Sequence, residues 1–137
     1  MKMIKRILPV LCLFLLLLLV TPATGIEWTV LSTTDEGNEL SYDEKSIREV
    51  KTYIFRLWER IVFADQNVKD NVKTTLFIRE INCQNNRQRI ISLMDYNTQG
   101  EKTFSGANDR ATWSAIPPDT PLDLLRKKVC KKAINSH

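Results

Sequence analysis

The sequence predicts an α+β domain, a single antiparallel meander sheet of about five to six strands covered on one face by a C-terminal helix. Six segments have the alternation or the β-branched and aromatic composition of strands. The turns between them are too short for the crossover that parallel pairing requires. Helical spacing of apolar residues after residue 121 predicts the helix.

The predicted strands follow one another along most of the chain. Residues 26–30 alternate apolar and polar side chains, and 39–42 form a short second strand before a turn at 43–46. Residues 51–63 are the longest strand signal and contain no Gly or Pro, and both faces are partly apolar, which favours a central strand. Three more strands are predicted at 72–83, 88–96 and 102–105, with turns at 84–87 and 97–100.

Alternation within a strand assigns side chains to faces. In the long strand, one face carries Tyr53, Phe55 and Leu57, and the other carries Ile54, Arg56, Trp58 and Arg60. In the strand at 88–96, one face is predicted to carry Ile90, Ser92 and Met94.

The helix has a recognisable start. Thr120 is the expected N-cap, Pro121 occupies the first helical position, and Asp123 completes a capping-box-like pair. The residues expected on its inner side are Leu125, Val129, Cys130, Ala133 and Ile134.

The first 25 residues have the three-part order of a cleavable secretory signal peptide. Basic residues open the chain, an apolar run follows over 7–20, and small residues end the segment at 21–25. The run has 14 residues, whereas a spanning helix needs about 20, which favours a signal peptide at 1–25 over a membrane anchor. Cleavage after Ala23 and cleavage after Gly25 both fit.

The expected mature segment, 26–137, is nearly neutral. The chain has 20 basic and 16 acidic residues, of which 1–25 holds three basic and no acidic ones, leaving 17 against 16. Nucleic acid is therefore not an expected partner, because its binding needs a marked basic excess. The 112 residues of this segment suit one domain.

The cysteines agree with export to the periplasm, the medium or the cell surface. Cys12 lies in the signal and follows Leu11 rather than a small residue, so no lipid anchor is expected. Cys83 and Cys130 remain, and two cysteines in an oxidising compartment most simply form a disulfide. Such a bond would clamp the helix onto a strand. The alternative is a pair of free thiols in a redox or metal site, which the absence of a C-x-x-C spacing disfavours.

The residue inventory argues against an enzyme. The only histidine is His137, the last residue, where chains usually fray, so no Cys-His or Ser-His-Asp arrangement is expected. The sequence has no Gly-rich phosphate loop, and no cofactor or metal site is predicted. Acidic residues in turns leave a glycosidase-like pair as an open alternative, although solvated turn residues are the simpler interpretation.

Two groups of residues are candidates for binding. Trp28, Trp58 and Trp113 are expected mainly to fill the core, with a binding pocket or interface as the alternative. A candidate basic surface, for acidic partners or lipid headgroups, consists of Arg87, Arg89, Lys127, Lys128, Lys131 and Lys132. A solvated helix face is the simpler interpretation of the lysines.

Several short marks occur in a distinctive order along nearly the whole mature segment. They are Trp28, Tyr42-Asp43, Ser46-Ile47, Trp58, Cys83, Arg87 and Arg89, Tyr96, Gly100, Trp113, Ile116-Pro117 and Val129-Cys130. In this order the sequence resembles the surface-adhesin protein E family of bacterial exported proteins.

The resemblance implies a multistranded antiparallel sheet with a disulfide-tethered C-terminal helix. It also implies a non-enzymatic adhesin that binds extracellular-matrix proteins and forms a homodimer. A surface adhesin of this kind would be expected to carry a lipid-anchoring cysteine. Because none is visible, the alternative is a soluble periplasmic structural or inhibitory protein acting on an envelope component.

Overall fold

The computed structural model describes residues 25–134, which contain eight β-strands and one α-helix. The elements in chain order are β1 (Trp28–Thr33), β2 (Glu39–Asp43), β3 (Arg48–Lys51), β4 (Ile54–Val62), β5 (Val72–Asn82), β6 (Arg87–Asn97), β7 (Lys102–Ala107), β8 (Ser114–Ala115) and α1 (Pro121–Ile134). Within the described range, no helix has the length and apolar character that crossing a membrane requires. The predicted signal peptide, apart from Gly25, lies outside the described residues and stays a prediction.

All strands belong to one antiparallel sheet. The order is β1-β2-β4-β5-β6-β7, with β3 also paired to β4 and β8 also paired to β6. Neighbours in the sheet are mostly neighbours in the chain, because short turns permit only antiparallel pairing. The predicted fold class is confirmed, with eight strands rather than five to six.

The strand predicted at 51–63 is β4, which begins three residues later at Ile54, because a tight turn at Thr52 and Tyr53 separates it from β3. Tyr53 has φ 62°, in the left-handed region, and it lies in the turn that reverses the chain from β3 into β4. Its N–H donates to a carboxylate oxygen of Glu49 at 2.9 Å, and its carbonyl accepts from the N–H of Cys83 at 2.8 Å. The prediction that Tyr53 continues the strand is wrong, because a bulky residue holds a conformation that normally favours Gly or Asn.

Strand β6 departs from strict alternation. Arg79 of β5 pairs with Ile90, whereas the preceding Ile78 pairs with Ser92, so Ile91 is the extra residue of a β-bulge. Successive residues of β5 point to opposite faces. Ile90 and Ser92 therefore do not share a face, and that prediction is wrong.

Helix α1 packs on one face of the sheet, which we call the helix face. The buried apolar cluster there contains Tyr42, Phe55, Leu57, Ile81, Ile116, Leu125 and Val129. Phe55 and Ile81 are cross-strand partners on this face, and Leu125 and Val129 are fully buried on the inner side of the helix. The predicted inward position of these two helix residues is confirmed; the side chains of Ala133 and Ile134 lie outside the description.

A disulfide joins the helix to the sheet. Cys83 follows the last residue of β5, Cys130 lies in the third turn of α1, and their Cα atoms are 5.7 Å apart. Both cysteines pack against the apolar cluster. The pairing expected from the sequence is the one in the structure, and it clamps the C-terminal helix over the sheet.

The expectation that the tryptophans fill the core is wrong. All three are half-buried, and none belongs to the buried cluster. Trp58 lies on the face opposite Leu57, and Trp28 pairs with Asp43, on the face opposite Tyr42. Aliphatic residues of the helix, Leu125 and Val129, complete the buried apolar cluster instead. The tryptophans lie on the other side of the sheet.

The start of α1 is confirmed at Pro121, with Thr120 as its cap. The Thr120 hydroxyl accepts from the N–H of Asp123 at 3.2 Å. The Asp123 carboxylate accepts from the N–H of Asp119 at 3.3 Å, one residue before the position that a capping box uses. The same carboxylate lies 2.8 Å from Arg126 and 2.9 Å from Lys127.

We expect Asp123 to contribute to the acid sensitivity of the fold. Hydrogen bonds from Lys127 and Arg126 lower the pKa of Asp123 from 3.8 to about 2. Because the pKa in the folded state is depressed, the stabilisation is complete above the ordinary pKa and is lost as the pH falls towards about 2. Asp123→Asn should therefore be less stable at neutral pH and lose less stability on acidification. Urea unfolding at several pH values measures this, with Asp35→Asn, in an exposed turn, as the charge-matched control; parallel curves for Asp123→Asn and the parent would contradict it.

Candidate functional site

The face of the sheet opposite α1, which we call the open face, carries three rows of side chains. Cross-strand pairing defines each row across β4, β5 and β6. The rows are Arg56–Glu80–Arg89, Trp58–Ile78–Ser92 and Arg60–Leu76–Met94. All of these side chains except Glu80 are half-exposed. The rows place an apolar centre between arginines.

Glu80 organises the first row. One carboxylate oxygen lies 2.6 Å from Arg56, and the other lies 2.7 Å from Arg89. The Glu80 side chain is 2% exposed, whereas those of Arg56 and Arg89 are 34% and 22% exposed. Burial opposes ionisation of Glu80, but hydrogen bonds from the two arginines outweigh it and lower its pKa. The buried carboxylate thus fixes two arginines that remain accessible.

Tryptophan rings support two of these arginines. The Arg89 guanidinium lies 4.6 Å from the centroid of the Trp113 ring, and that of Arg60 lies 4.8 Å from the Trp28 ring, both within the range of cation–π attraction. Arg60 also donates to the buried Ser41 hydroxyl at 3.1 Å. The arginines are therefore held in place before any ligand binds.

This arrangement is suited to recognition. Trp and Arg are the residue types that most often dominate binding energy at protein interfaces. A partner could place an apolar side chain against Trp58 and Ile78 and carboxylates against the arginines on both sides.

A second charged pair is enclosed on the helix face. Glu59 and Arg79 form an ion pair with side chains 1% and 10% exposed. Arg79 also donates to Gln88, and Gln88 donates to the Ser114 hydroxyl at 2.6 Å. Burial raises the pKa of Glu59, and Arg79 offsets this only in part. Because the pair is sealed from solvent, we interpret it as structural.

The described part of the chain offers no cluster of three His, Cys, Asp or Glu residues that could hold a metal ion. The buried carboxylates Glu59 and Glu80 are both engaged by arginines.

The basic residues expected to form one surface lie in two places. Arg87 and Arg89 lie on β6, on the side of the open face, where Arg89 is bonded to Glu80. The four lysines lie on α1, across the sheet. Lys127 is paired with Asp123, and Lys132 lies 3.6 Å from Glu44. Lys128 and Lys131 border a cleft with Tyr42, Glu44 and Ile47.

Sequence reasoning missed the role of Glu80, which holds the two arginines of the first row of the open face. Alternation does group Arg56, Trp58 and Arg60, so one side of the site is visible in the sequence. The match of Glu80 to Arg56 depends on the register of β4 and β5, which the sequence pattern leaves undefined.

Comparison with known proteins identifies relatives of this fold. The structure of Haemophilus influenzae protein E matches with a TM-score of 0.55 at 15% identity, covering 82% of this chain and 92% of that one. A second crystal form of that protein matches with a TM-score of 0.54 at 14% identity, covering 82% and 95%. At this identity the likeness is one of fold. Among curated proteins, no sequence matches the chain significantly.

The sequence model of one family covers most of the chain. It is described as surface-adhesin protein E and matches residues 28–131, from the first residue of β1 into the last turn of α1. This match supports an adhesin-like, exported cell-surface protein and suggests a non-enzymatic role. The chain belongs to the surface-adhesin protein E family.

Proposed function

We propose that this chain is an exported, non-enzymatic adhesin-like module that binds a protein partner, from the host or its extracellular matrix, through the open face. The observation that carries the proposal is the fixed arrangement of arginines around the Trp58–Ile78 row. The family supports an adhesin in general; the partner and the binding face are our assignment.

Preorganisation favours this face over other parts of the surface. Ordering a flexible side chain at an interface costs about 0.5–1.5 kcal/mol of binding free energy. Arg56, Arg60 and Arg89 are already held by Glu80, Ser41 and tryptophan rings. Much of that ordering cost is therefore met during folding.

A partner for this face should be apolar at its centre and acidic at its margins. Arg60 also lies 3.0 Å from Glu39, so the three arginines of the rows face the carboxylates of Glu80 and Glu39 and keep one net positive charge. A second copy of the chain is a further protein partner to test, because the family resemblance implies dimers. Sedimentation at increasing protein concentration distinguishes self-association from capture of another protein.

Removing Trp58 should weaken partner binding strongly. Truncation of a central interface tryptophan typically costs about 2 kcal/mol, or about 30-fold in affinity. We expect Trp58→Ala to show this loss against purified laminin or vitronectin, measured by surface plasmon resonance with the parent protein as reference.

Phe104→Ala is the matched control, because Phe104 is an accessible aromatic residue that lies on β7, outside the open face. Both variants should unfold cooperatively and show a circular dichroism spectrum like that of the parent. Equal loss in the two variants, or unchanged binding by Trp58→Ala, would remove the open face from consideration. If the parent binds neither matrix protein, the matrix version of the proposal fails.

Location separates the adhesin from the periplasmic alternative. An adhesin should be cleaved when intact cells are treated with protease, and it should appear in the outer-membrane fraction. A strictly soluble periplasmic pool, untouched by protease, would favour a structural or inhibitory role on an envelope component.

A further inference from the structure

The last turns of α1 border a basic concavity, which lies across the sheet from the open face. Lys128, Lys131 and Lys132 follow the i, i+3, i+4 spacing that places helical residues on one side. With Tyr42, Glu44 and Ile47 they line a cleft of about 340 Å³ between α1 and the segment that follows β2. We call it the lysine cleft.

The lysines of the cleft retain free positive charge. Lys127, one turn earlier, is paired with Asp123 at 2.9 Å and lies outside the cleft. Within residues 25–134, no ion pair engages Lys128 or Lys131. The Lys132 ammonium lies 3.6 Å from a carboxylate oxygen of Glu44. Both side chains are more than half exposed, so water and salt weaken this ion pair. Three ammonium groups thus face one carboxylate.

A second recess adjoins the lysine cleft. It has a volume of about 310 Å³, shares Glu44 and Lys132 with the cleft, and is also bordered by Lys45, which is paired with Glu27 at 2.9 Å. This recess lengthens the groove without adding net charge. Together the two recesses form a groove longer than one small ion needs. An extended ligand that places its negative groups at the three lysines of the cleft fits this groove better than a single anion does.

We propose that the lysine cleft binds a sulfated polysaccharide. Sulfate groups stay ionised at all physiological pH values and accept several hydrogen bonds, which suits the compact ammonium groups of lysine. Tyr42 and Ile47 supply an apolar floor for the carbon face of a sugar ring. The cleft is open at the surface, so a polymer can lie along it.

Two other anionic partners, a membrane surface and single-stranded nucleic acid, fit the lysine cleft less well. A membrane-surface helix needs a free apolar face, whereas the apolar side of α1 is buried in the core through Leu125 and Val129. Single-stranded nucleic acid stacks successive bases on several aromatic side chains beside the charges, whereas Tyr42 is the one aromatic residue in the lining of the cleft. Trp28 and Trp58 lie across the sheet on the open face, and Trp113 lies against Arg89 there.

The test uses a size-defined heparin oligosaccharide and isothermal titration calorimetry with the purified protein. Lys128→Gln together with Lys131→Gln should weaken binding about tenfold or more, the equivalent of about 1.4 kcal/mol. It should also reduce the salt dependence of the affinity, because fewer counterions are released. Lys69→Gln together with Lys102→Gln is the charge-matched control, since both lysines are exposed away from the cleft; it should bind within about twofold of the parent.

Several outcomes overturn the proposal. The first is no binding of heparin by the parent protein, and the second is equal loss in the two double variants. A third is equal binding of uncharged dextran. Preferential binding to anionic phospholipid vesicles would reassign the cleft to lipid headgroups. Trp58→Ala should keep heparin affinity, so failure of the open-face proposal leaves this result unaffected.

Discussion

Replacing Cys83 or Cys130 by serine is expected to lower the free energy of unfolding by about 4 kcal/mol. The bond closes a loop of 47 residues, and the loss of chain entropy in the unfolded state gives this magnitude. The effect is large because domains of this size have only about 5–15 kcal/mol of net stability. Urea denaturation of the purified protein, followed by circular dichroism, measures the change.

The double variant Cys83→Ser with Cys130→Ser is the matched control for this prediction. It should be no less stable than either single variant, since the first substitution already removes the whole bond. A reducing agent should destabilise the parent and leave the double variant unchanged. An unchanged unfolding midpoint for both single variants, or two alkylatable thiols in the native protein, would contradict a structural disulfide.

Breaking the enclosed ion pair on the helix face should have a similar effect. We expect Glu59→Met or Arg79→Met to lower the free energy of unfolding by about 3–5 kcal/mol, because each leaves one buried charge without its partner. The side chains of Glu59 and Arg79 are 1% and 10% exposed, so water cannot readily replace the lost contact. Equilibrium unfolding at neutral pH measures both variants.

Combining the two methionine substitutions should restore part of the stability. The double variant removes both charges and fills their space with apolar side chains, so it should be more stable than either single variant by about 1–3 kcal/mol. Removing the exposed pair of Lys45 and Glu27, whose side chains are 74% and 73% exposed, should change little. Strictly additive losses at Glu59 and Arg79 would show that the two groups do not interact.

Much of the sheet was predictable because its strands are long and carry regular patterns. Strands β4, β5 and β6 have nine or eleven residues each, enough for alternation to be visible. The errors occur where one residue changes the geometry. Tyr53 turns the chain without a Gly or Pro signal, and Ile91 adds a bulge that reverses the facing of the residues after it.

The candidate site was predictable only in part. Alternation placed Arg56, Trp58 and Arg60 together on one face of a strand, and that grouping holds in the structure. It did not reveal that Glu80 lies between Arg56 and Arg89. Grouping by charge placed Arg89 and the helix lysines in one candidate basic surface, although the sheet separates them.

The sequence by itself determined the antiparallel sheet, the start of the helix at Pro121 and the pairing of Cys83 with Cys130, because hydrophobic period, capping residues and cysteine number are local or compositional properties. The tertiary structure alone decided which charges meet: Glu80 with two arginines, Glu59 with Arg79, and three lysines around one cleft. The physical reason is strand register and helix placement. A shift of one residue in β5 would move Glu80 to the other face of the sheet. The pattern of a single strand does not show how that strand is aligned with its neighbours, so this register could not be predicted from the sequence.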